Sequence, residues 1–398
     1  MKHGACLMVT ALAVAAAGCG RQPAAARERS ATVAPLGSTY APATSAASLE
    51  EVVREAGDLL ARQPDDAGAA LRLADAWLRQ SRVHGRAGLA VKAERVLRPV
   101  LLRAPDRPDG RRLLVASLLA QHRFREALAE AERAAAARPG DAWAMVAMGD
   151  AWLELGDYER AFGAYDRATA QRPDAAAYAR IAYGRELTGD LDGALRIMTL
   201  ALDATNPGDA EQIAWQLVEI GRLHVQADRL TDASRSFARA DHVFPGYPAA
   251  GLGLARAAAA RGDHAGALAR LDAMPAGPDV WHLQSRSFRA LGRAADAARA
   301  EQLAEAAWRI DSPDPVKLTL LLAGQPGRAP EAVAIAERAA RDRDDIFTAD
   351  ALAWAYYRAG RLSDAREMSA RALRTGTADR DIRSRARAIA STSRRAGQ

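Results

Sequence analysis

Cysteine is almost absent from this 398-residue chain, and both cysteines, Cys6 and Cys19, lie within the first 19 residues. The rest of the chain therefore cannot form an internal disulfide, a cysteine-ligated zinc site or a thiol nucleophile. Aromatic residues are only 5% of the chain, and no segment alternates polar and apolar residues with the period of a strand. Lysine is scarce too, with only Lys2, Lys92 and Lys317 among 55 basic residues. This composition, dominated by alanine, leucine, arginine and glutamate, predicts an all-α protein.

The basic charge does not favour nucleic acid as a partner. The formal net charge is +6, yet the arginines are spread along the chain without a run of five or more basic residues. Dispersed arginine is typical of solvated helix faces. The chain also lacks a P-loop, H-E-x-x-H, C-x-x-C and G-x-S-x-G, and its histidines show no metal-ligand spacing. We therefore predict a protein that is not an enzyme and needs no cofactor or metal.

The first 19 residues have the pattern of a secretory signal. Lys2 precedes a largely apolar stretch, and small residues lead up to Cys19. The stretch is too short for a stable transmembrane helix. It resembles the lipobox of bacterial lipoproteins, in which the cysteine is acylated and becomes the new N-terminus, although Ala16 stands where that pattern prefers leucine. The resemblance implies removal of residues 1–18, lipidation of Cys19 and a membrane-anchored, extracytoplasmic location in the bacterial envelope. An ordinary cleaved signal that happens to contain this cysteine is the alternative.

A linker is expected between the anchor and the folded part. Residues 19–47 are rich in alanine, proline, serine and threonine and have almost no large apolar residue to bury, so we expect them to be disordered. A flexible chain of this length has a reach of about 30 Å. Folding is predicted to begin at Ser48, which heads the capping-box sequence Ser48-Leu49-Glu50-Glu51. Residues 48–66 are thus predicted to hold an N-terminal capping helix.

A pattern of about 34 residues recurs through the rest of the chain. Each copy has a turn position, usually glycine, that is followed five residues later by alanine. In the clearest copy, residues 142–173, the small Gly149 should let the second helix approach closely. One such pair of amphipathic helices cannot bury its apolar face alone, so the copies must stack into a solenoid. The turn positions are Gly156, Gly189, Asp228, Gly262, Gly292, Gly327 and Gly360, and the alanines are Ala161, Ala194, Ala233, Ala267, Ala297, Ala332 and Ala365.

This pattern resembles the tetratricopeptide repeat. The resemblance implies a right-handed α-solenoid of helix-turn-helix units over residues 67–378, with about nine units that begin near residues 67, 108, 142, 175, 214, 248, 278, 313 and 346. The long first interval predicts a longer loop or extended turn around Ser81–Leu89. Residues 379–398 are predicted to form a polar C-terminal capping helix and tail, which such arrays need for solubility.

The resemblance also implies where a partner binds, because the first helix of each pair lines the concave groove of such an array. The corresponding faces are mostly acidic in the N-terminal units, with Asp75, Asp109, Asp150, Glu154 and Glu186 beside Arg79 and Arg112. Later units offer five arginines, Arg222, Arg256, Arg286, Arg289 and Arg358, beside Asp279, His282 and Asp350. Clustered arginines suit carboxylates through paired hydrogen bonds, so these five predict a groove for an extended or C-terminal peptide. Solvated faces with a chance asymmetry are the alternative.

Together these observations predict a non-enzymatic scaffold that holds a protein or peptide partner near the membrane. Two alternatives stay open. One is an accessory subunit of an envelope enzyme or assembly complex, and the other is a binder of an anionic polymer or nucleic acid. Fold alone does not choose among them.

Overall fold

The computed structural model describes residues 44–310 and 314–396, and within them the chain forms helices and no strands. Helix α1 (Ala46–Arg62) precedes nine helix pairs, and α20 (Arg380–Ala396) follows them. The first helices of the pairs are α2 (Ala67–His84), α4 (Pro108–Ala120), α6 (Ala142–Glu154), α8 (Ala175–Leu187), α10 (Ala210–Gln226), α12 (Pro248–Ala260), α14 (Pro278–Ala290), α16 (Pro315–Gly324) and α18 (Ile346–Arg358). The second helices are α3 (Ala87–Arg103), α5 (Phe124–Ala137), α7 (Tyr158–Gln171), α9 (Leu191–Asp203), α11 (Leu230–Val243), α13 (His264–Asp272), α15 (Ala294–Arg309), α17 (Ala329–Asp342) and α19 (Leu362–Ala372). The predicted all-α array of helix pairs is confirmed.

Small residues set the distance between the two helices of a unit. Ala161 and Ala233 are fully buried, as the repeat register predicts. A methyl group at Gly149 would lie 2.5 Å from the Tyr165 ring, and one at Gly221 would lie 2.6 Å from the Phe237 ring. A side chain at either glycine would push the second helix away, because interiors packed this closely leave no spare volume.

The first helix begins earlier than the sequence predicts. Its N-cap is Ser45, whose side chain accepts a hydrogen bond from the Ser48 amide, while the Ser48 hydroxyl accepts one from the Ser45 amide. Ser48 therefore occupies the third helical position of a capping box instead of the cap itself, and Ala46 is already helical. Glu51 does not cap the helix but pairs with Arg54 on the exposed face. The expected linker thus loses its last two residues to α1.

The insertion in the first unit is helical, which corrects the predicted loop. Helix α2 has 18 residues and runs to His84, and the turn to α3 consists only of Gly85 and Arg86. Gly85 adopts φ 64°, a left-handed conformation that glycine tolerates without steric cost. The extra turn of helix forms because Val83 is buried in a core shared with distant units.

The array folds back on itself. One apolar core joins α1 and α2 to α8–α12, and another joins α6–α8 to α18–α20. Ion pairs follow the same route, since the buried guanidinium of Arg79 donates to Glu211 at 3.1 Å and Arg82 donates to the same carboxylate at 2.9 Å. Residues about 130 positions apart in the sequence are thus in contact. None of the helices in the described part of the chain combines the length and the apolar character that crossing a membrane requires.

Candidate functional site

Acidic and basic residues on the first helices pair with each other. Asp150 of α6 accepts two hydrogen bonds from Arg180 of α8, at 3.1 and 2.7 Å, and a third from the Tyr165 hydroxyl at 2.9 Å. Arg180 is only 2% exposed, so this pair is fully desolvated. Both charges are satisfied inside the array, and neither is presented to a partner.

The next unit repeats the arrangement. Both oxygens of Glu186 on α8 accept hydrogen bonds from Arg222 of α10, at 2.8 and 2.9 Å, and Gln226 donates to the same carboxylate. Arg222 also donates to Glu219 at 3.0 Å. This finding corrects the sequence interpretation of Arg222, because its guanidinium fork is already engaged by two carboxylates and is not available to grip a peptide.

A cleft lies where the early units meet the C-terminal units. Its free volume, including the mouth, is about 440 Å³. The walls come from the turn between α4 and α5, from α6–α8, and from the starts of α16 and α18. The lining residues are His122, Leu153, Glu154, Tyr158, Tyr183, Leu187, Asp314, Val316, Arg343, Asp345 and Phe347.

Arg343 is the central charge of this cleft. Its guanidinium donates to Glu154 at 2.7 Å and to Asp345 at 2.9 Å, and it lies 3.2 Å from Nδ1 of His122. A guanidinium can only donate, so Nδ1 of His122 accepts and the imidazole is neutral. Arg343 and Glu154 are 189 positions apart in sequence, and the pair therefore joins two distant parts of the array.

Burial sets the protonation of these groups. It raises the pKa of Glu154 to about 7, against the opposing attraction of Arg343. Burial also lowers the pKa of His122 to about 4, and the neighbouring Arg343 adds to the effect. Burial opposes ionisation of Asp345 as well, but Arg343 and the hydrogen bonds from Thr348 hold the pKa of Asp345 below its usual value. The two carboxylates differ because Asp345 caps α18 through backbone amides and Glu154 has only the shared guanidinium.

The charged network continues toward α14. Lys317, which is 4% exposed, donates to Asp279 at 2.7 Å and lies 3.6 Å from Asp314 at the rim of the cleft. Burial raises the pKa of Asp314 despite this lysine. Within the described residues, no three histidine, cysteine, aspartate or glutamate side chains come together as a metal site. In the cleft, the Arg343 guanidinium lies between the carboxylates of Glu154 and Asp345, the position that a metal cation would need.

The other four predicted groove residues lie on three helices, α12, α14 and α18. Arg256 of α12 and Arg286 of α14 are half-buried, and these two helices contact each other. Arg289 is exposed and pairs with Glu301 at 2.7 Å. Arg358 lies over the ring of Trp354 on α18, which packs on α16, α17, α19 and α20. Cys19 lies outside the described residues.

Sequence reasoning missed the residues that close the array, namely His122, Arg343 and Asp345. Each lies in a turn between helices, where the repeat pattern demands only a helix break. One signal was present: the turn position that is usually glycine is His122 in one unit and Asp228 in another. These are the only two non-glycine residues with positive φ in the described residues, at 59° and 63°. Strained backbone of this kind persists where the side chain is used.

Comparison with known proteins agrees with the repeat pattern. Residues 118–182 and 224–285 match the family model described as tetratricopeptide repeat. The helix pairs of the described residues form a solenoid of the tetratricopeptide-repeat fold. Repeats of this kind build protein-interaction scaffolds. No curated protein sequence matches the chain.

Solved structures show the same fold at low sequence identity. Human IFIT1, a dimer with m7Gppp-AAAA, is 16% identical with a TM-score of 0.53, over 83% of this chain and 77% of that chain. The APC/C hetero-tetramer Cut9-Hcn1 is 15% identical with a TM-score of 0.50, over 85% of this chain and 59% of that one. PilW, a type IV pilus biogenesis factor, is 20% identical over 51% of this chain and 94% of its own, with a TM-score of 0.42. At such identities the likeness to IFIT1 and to Cut9-Hcn1 shows the fold alone, and the likeness to PilW supports no conclusion.

Proposed function

We propose that this tetratricopeptide-repeat protein is a lipid-anchored scaffold that binds a protein or peptide partner on the extracytoplasmic side of a bacterial membrane. The repeat array itself carries the binding part of the proposal, because stacked helix pairs present long surfaces to other chains. Anchoring rests on the small residues that precede Cys19 and on the apolar stretch before them.

The anchor is tested with two cysteine variants. Cys19→Ser should move the protein from the membrane fraction to the soluble fraction or leave it unprocessed, because no acyl chain can be attached. Cys6→Ser is the matched control, since this residue lies in the segment that cleavage removes, and it should leave fractionation unchanged. Intact-mass measurement of the mature wild-type chain without added acyl mass would contradict the proposal.

The binding surface is tested by crosslinking from membranes. Arg222 is unsuitable for this test because its loss would leave the buried Glu186 without its cationic partner. Replacement of Arg256 and Arg286 together by glutamate should abolish capture of an acidic or carboxylate-ended partner without changing helicity. Arg235→Glu is the control, because Arg235 lies on α11, is 68% exposed and pairs only locally with Asp232.

Two outcomes of this crosslinking would count against the proposal. Undiminished capture by the double variant would place the partner elsewhere on the array. Capture of nucleic acid or another polyanion with a steep dependence on salt would favour the polymer-binding alternative.

A further inference from the structure

Two segments near the C-terminus run along a row of turns in the early units. The row consists of the turn positions of four consecutive units, His122, Gly156, Gly189 and Asp228. The segments, residues 343–346 and 374–380, meet these turns in the order of the sequence. Arg343 lies against His122 and Asp344 against Gly156, and further along Gly376 lies against Gly189 and Arg380 against Asp228. We call the four turn positions the turn row, and residues 343–346 and 374–380 the docked segments.

The contact is close and local. A methyl group at Gly156 would lie 2.7 Å from the carbonyl carbon of Asp344, and one at Gly189 would lie 2.7 Å from the carbonyl oxygen of Gly376. The turn glycines of the later units have nothing within 4 Å of the same position, at Gly262, Gly292, Gly327 and Gly360. Among the turn glycines within the helix pairs of the described residues, only Gly156 and Gly189 are therefore covered by a distant part of the chain.

Charge on the two sides is complementary. The docked segments present Arg343 to Glu154 at 2.7 Å and Arg380 to Asp228 at 3.2 Å. Arg374 lies over the ring of Tyr158 at 5.0 Å, which adds a cation–π contact. The turn row with its neighbouring carboxylates thus recognises arginines on a chain that passes along it.

Backbone groups complete this recognition. The Ile346 amide donates to the Tyr158 hydroxyl at 2.9 Å, and its side chain is fully buried in the core shared by α6–α8 and α18–α20. A main-chain donor, an apolar anchor and an arginine three residues before it are the features by which a bound peptide is held in a groove.

The C-terminal units also have a core of their own. Trp308 of α15, Leu322 of α16, Tyr356 of α18 and Ile389 of α20 belong to one apolar cluster that excludes the early units. Separation of the docked segments from the turn row would therefore leave this C-terminal core intact, while it would open the core that α6–α8 share with α18–α20. It would expose Glu154, a buried carboxylate that has Arg343 as its ion-pair partner in this cleft.

We propose that the docked segments are an intramolecular ligand, and that the turn row is a recognition surface for an extended, arginine-bearing segment of a protein partner that displaces them. The proposal rests on the proposed function as a protein-binding scaffold and adds the chemistry of the partner. It also explains why His122 and Asp228 keep a backbone conformation that glycine would adopt without strain.

Native-state hydrogen exchange in the full chain tests, without any partner, whether the docked segments separate from the turn row. The Ile346 amide can exchange only when it leaves the Tyr158 hydroxyl, so it reports undocking. We expect it to exchange at least about tenfold faster than core amides of α10, because local opening costs less than global unfolding. Exchange of Ile346 at the same rate as the α10 core would overturn the proposal, since the contact would then open only when the protein unfolds.

Asp228→Asn sharpens this test and keeps the fold. Asparagine tolerates the same left-handed backbone but cannot form an ion pair with Arg380. The variant should speed exchange at Ile346 several-fold and leave the α10 amides unchanged. An unaltered rate at Ile346 would show that the charge of the turn row does not hold the segments.

A synthetic peptide tests recognition directly. The probe is the chain's own sequence Arg341–Asp350, added in excess to the wild-type protein. It should compete for Glu154 and speed exchange at Ile346 several-fold, whereas the same peptide with Arg343→Ala should not. Equal effects, or none, from the two peptides would overturn recognition of arginine. A failed partner capture from membranes would leave these results intact, so the two proposals fail separately.

Discussion

Gly156 and Gly360 offer a matched test of the closed array. Both are turn glycines with left-handed backbone, at φ 83° and 78°, and both sit between the two helices of a unit. Only Gly156 is covered by another part of the chain, because Asp344 and Arg374 pack against it. Alanine at each position therefore carries the same backbone strain, and the difference between the variants isolates the contact with the C-terminal segments.

The structure allows both magnitudes to be worked out. Left-handed φ costs a residue with a Cβ about 1–2 kcal/mol, so Gly360→Ala should lower the free energy of unfolding by that amount. At Gly156 the new methyl group would also lie 2.7 Å from the Asp344 carbonyl carbon and 2.8 Å from Nη2 of Arg374. Forced overpacking of this kind typically costs about 1–3 kcal/mol more, which gives about 2–5 kcal/mol for Gly156→Ala.

Urea unfolding of the two variants beside the wild type measures the difference. The transition midpoint should move further for Gly156→Ala, and hydrogen exchange at Ile346 should speed in that variant alone. The reasoning is refuted if both alanines lower the free energy of unfolding equally, or if Gly360→Ala is the more damaging. Either result would mean that residues 344 and 374 do not pack on the turn of the early unit.

Three further predictions concern the buried residues. Ala161→Leu should lower the free energy of unfolding by about 1–3 kcal/mol because it overpacks a fully buried position. Ala260→Leu, at an exposed position, is the control and should not change the free energy of unfolding. Identical melting curves for the two variants would show that the repeat register is wrong. Arg180→Ala should cost about 3–5 kcal/mol because Asp150 is left buried without its cationic partner. A double-mutant cycle in which Asp150→Ala gives no recovery would contradict this. Folding raises the pKa of Glu154 from 4.5 to about 7, so the folded state holds a proton that the unfolded chain releases, and the stability from this residue falls as pH rises between those values. Glu154→Gln should therefore gain up to about 3 kcal/mol relative to the wild type between about pH 5 and about pH 8, and a difference that does not change with pH would disprove it.

Local patterns in the sequence were enough for the units themselves. The turn glycine and the alanine five residues later predict helix pairs at the correct places, and Gly149 predicts the close approach of α7 that the Tyr165 ring makes. These features depend on residues within a few turns of helix, so each copy of the repeat contains the residues that determine them. Where the prediction was wrong, at Ser48 and around Ser81–Leu89, the competing local option was equally regular: an earlier serine cap in one case and one more turn of helix in the other.

The sequence predicted only part of the candidate site. Asp150, Glu154, Glu186 and Arg222 stood out in the sequence as charged residues on the first helices. Sequence spacing assigned them to an open groove because it treats each unit alone. The structure pairs Asp150 with Arg180 and Glu154 with Arg343. It also pairs Glu186 with Arg222, which removes Arg222 from the set that can bind a peptide.

The sequence by itself determined the helices, their pairing into units and the residues buried between them. Only the tertiary structure decided that the array closes on itself, so that Arg343 reaches Glu154 across 189 positions and Arg79 reaches Glu211 across 132. The physical reason is accumulation: each unit adds a small rotation to the next, and the sum over many units sets which distant turns meet. The summed rotation cannot be derived from the sequence of any one repeat. Contacts that depend on it therefore have no local sequence pattern that would predict them.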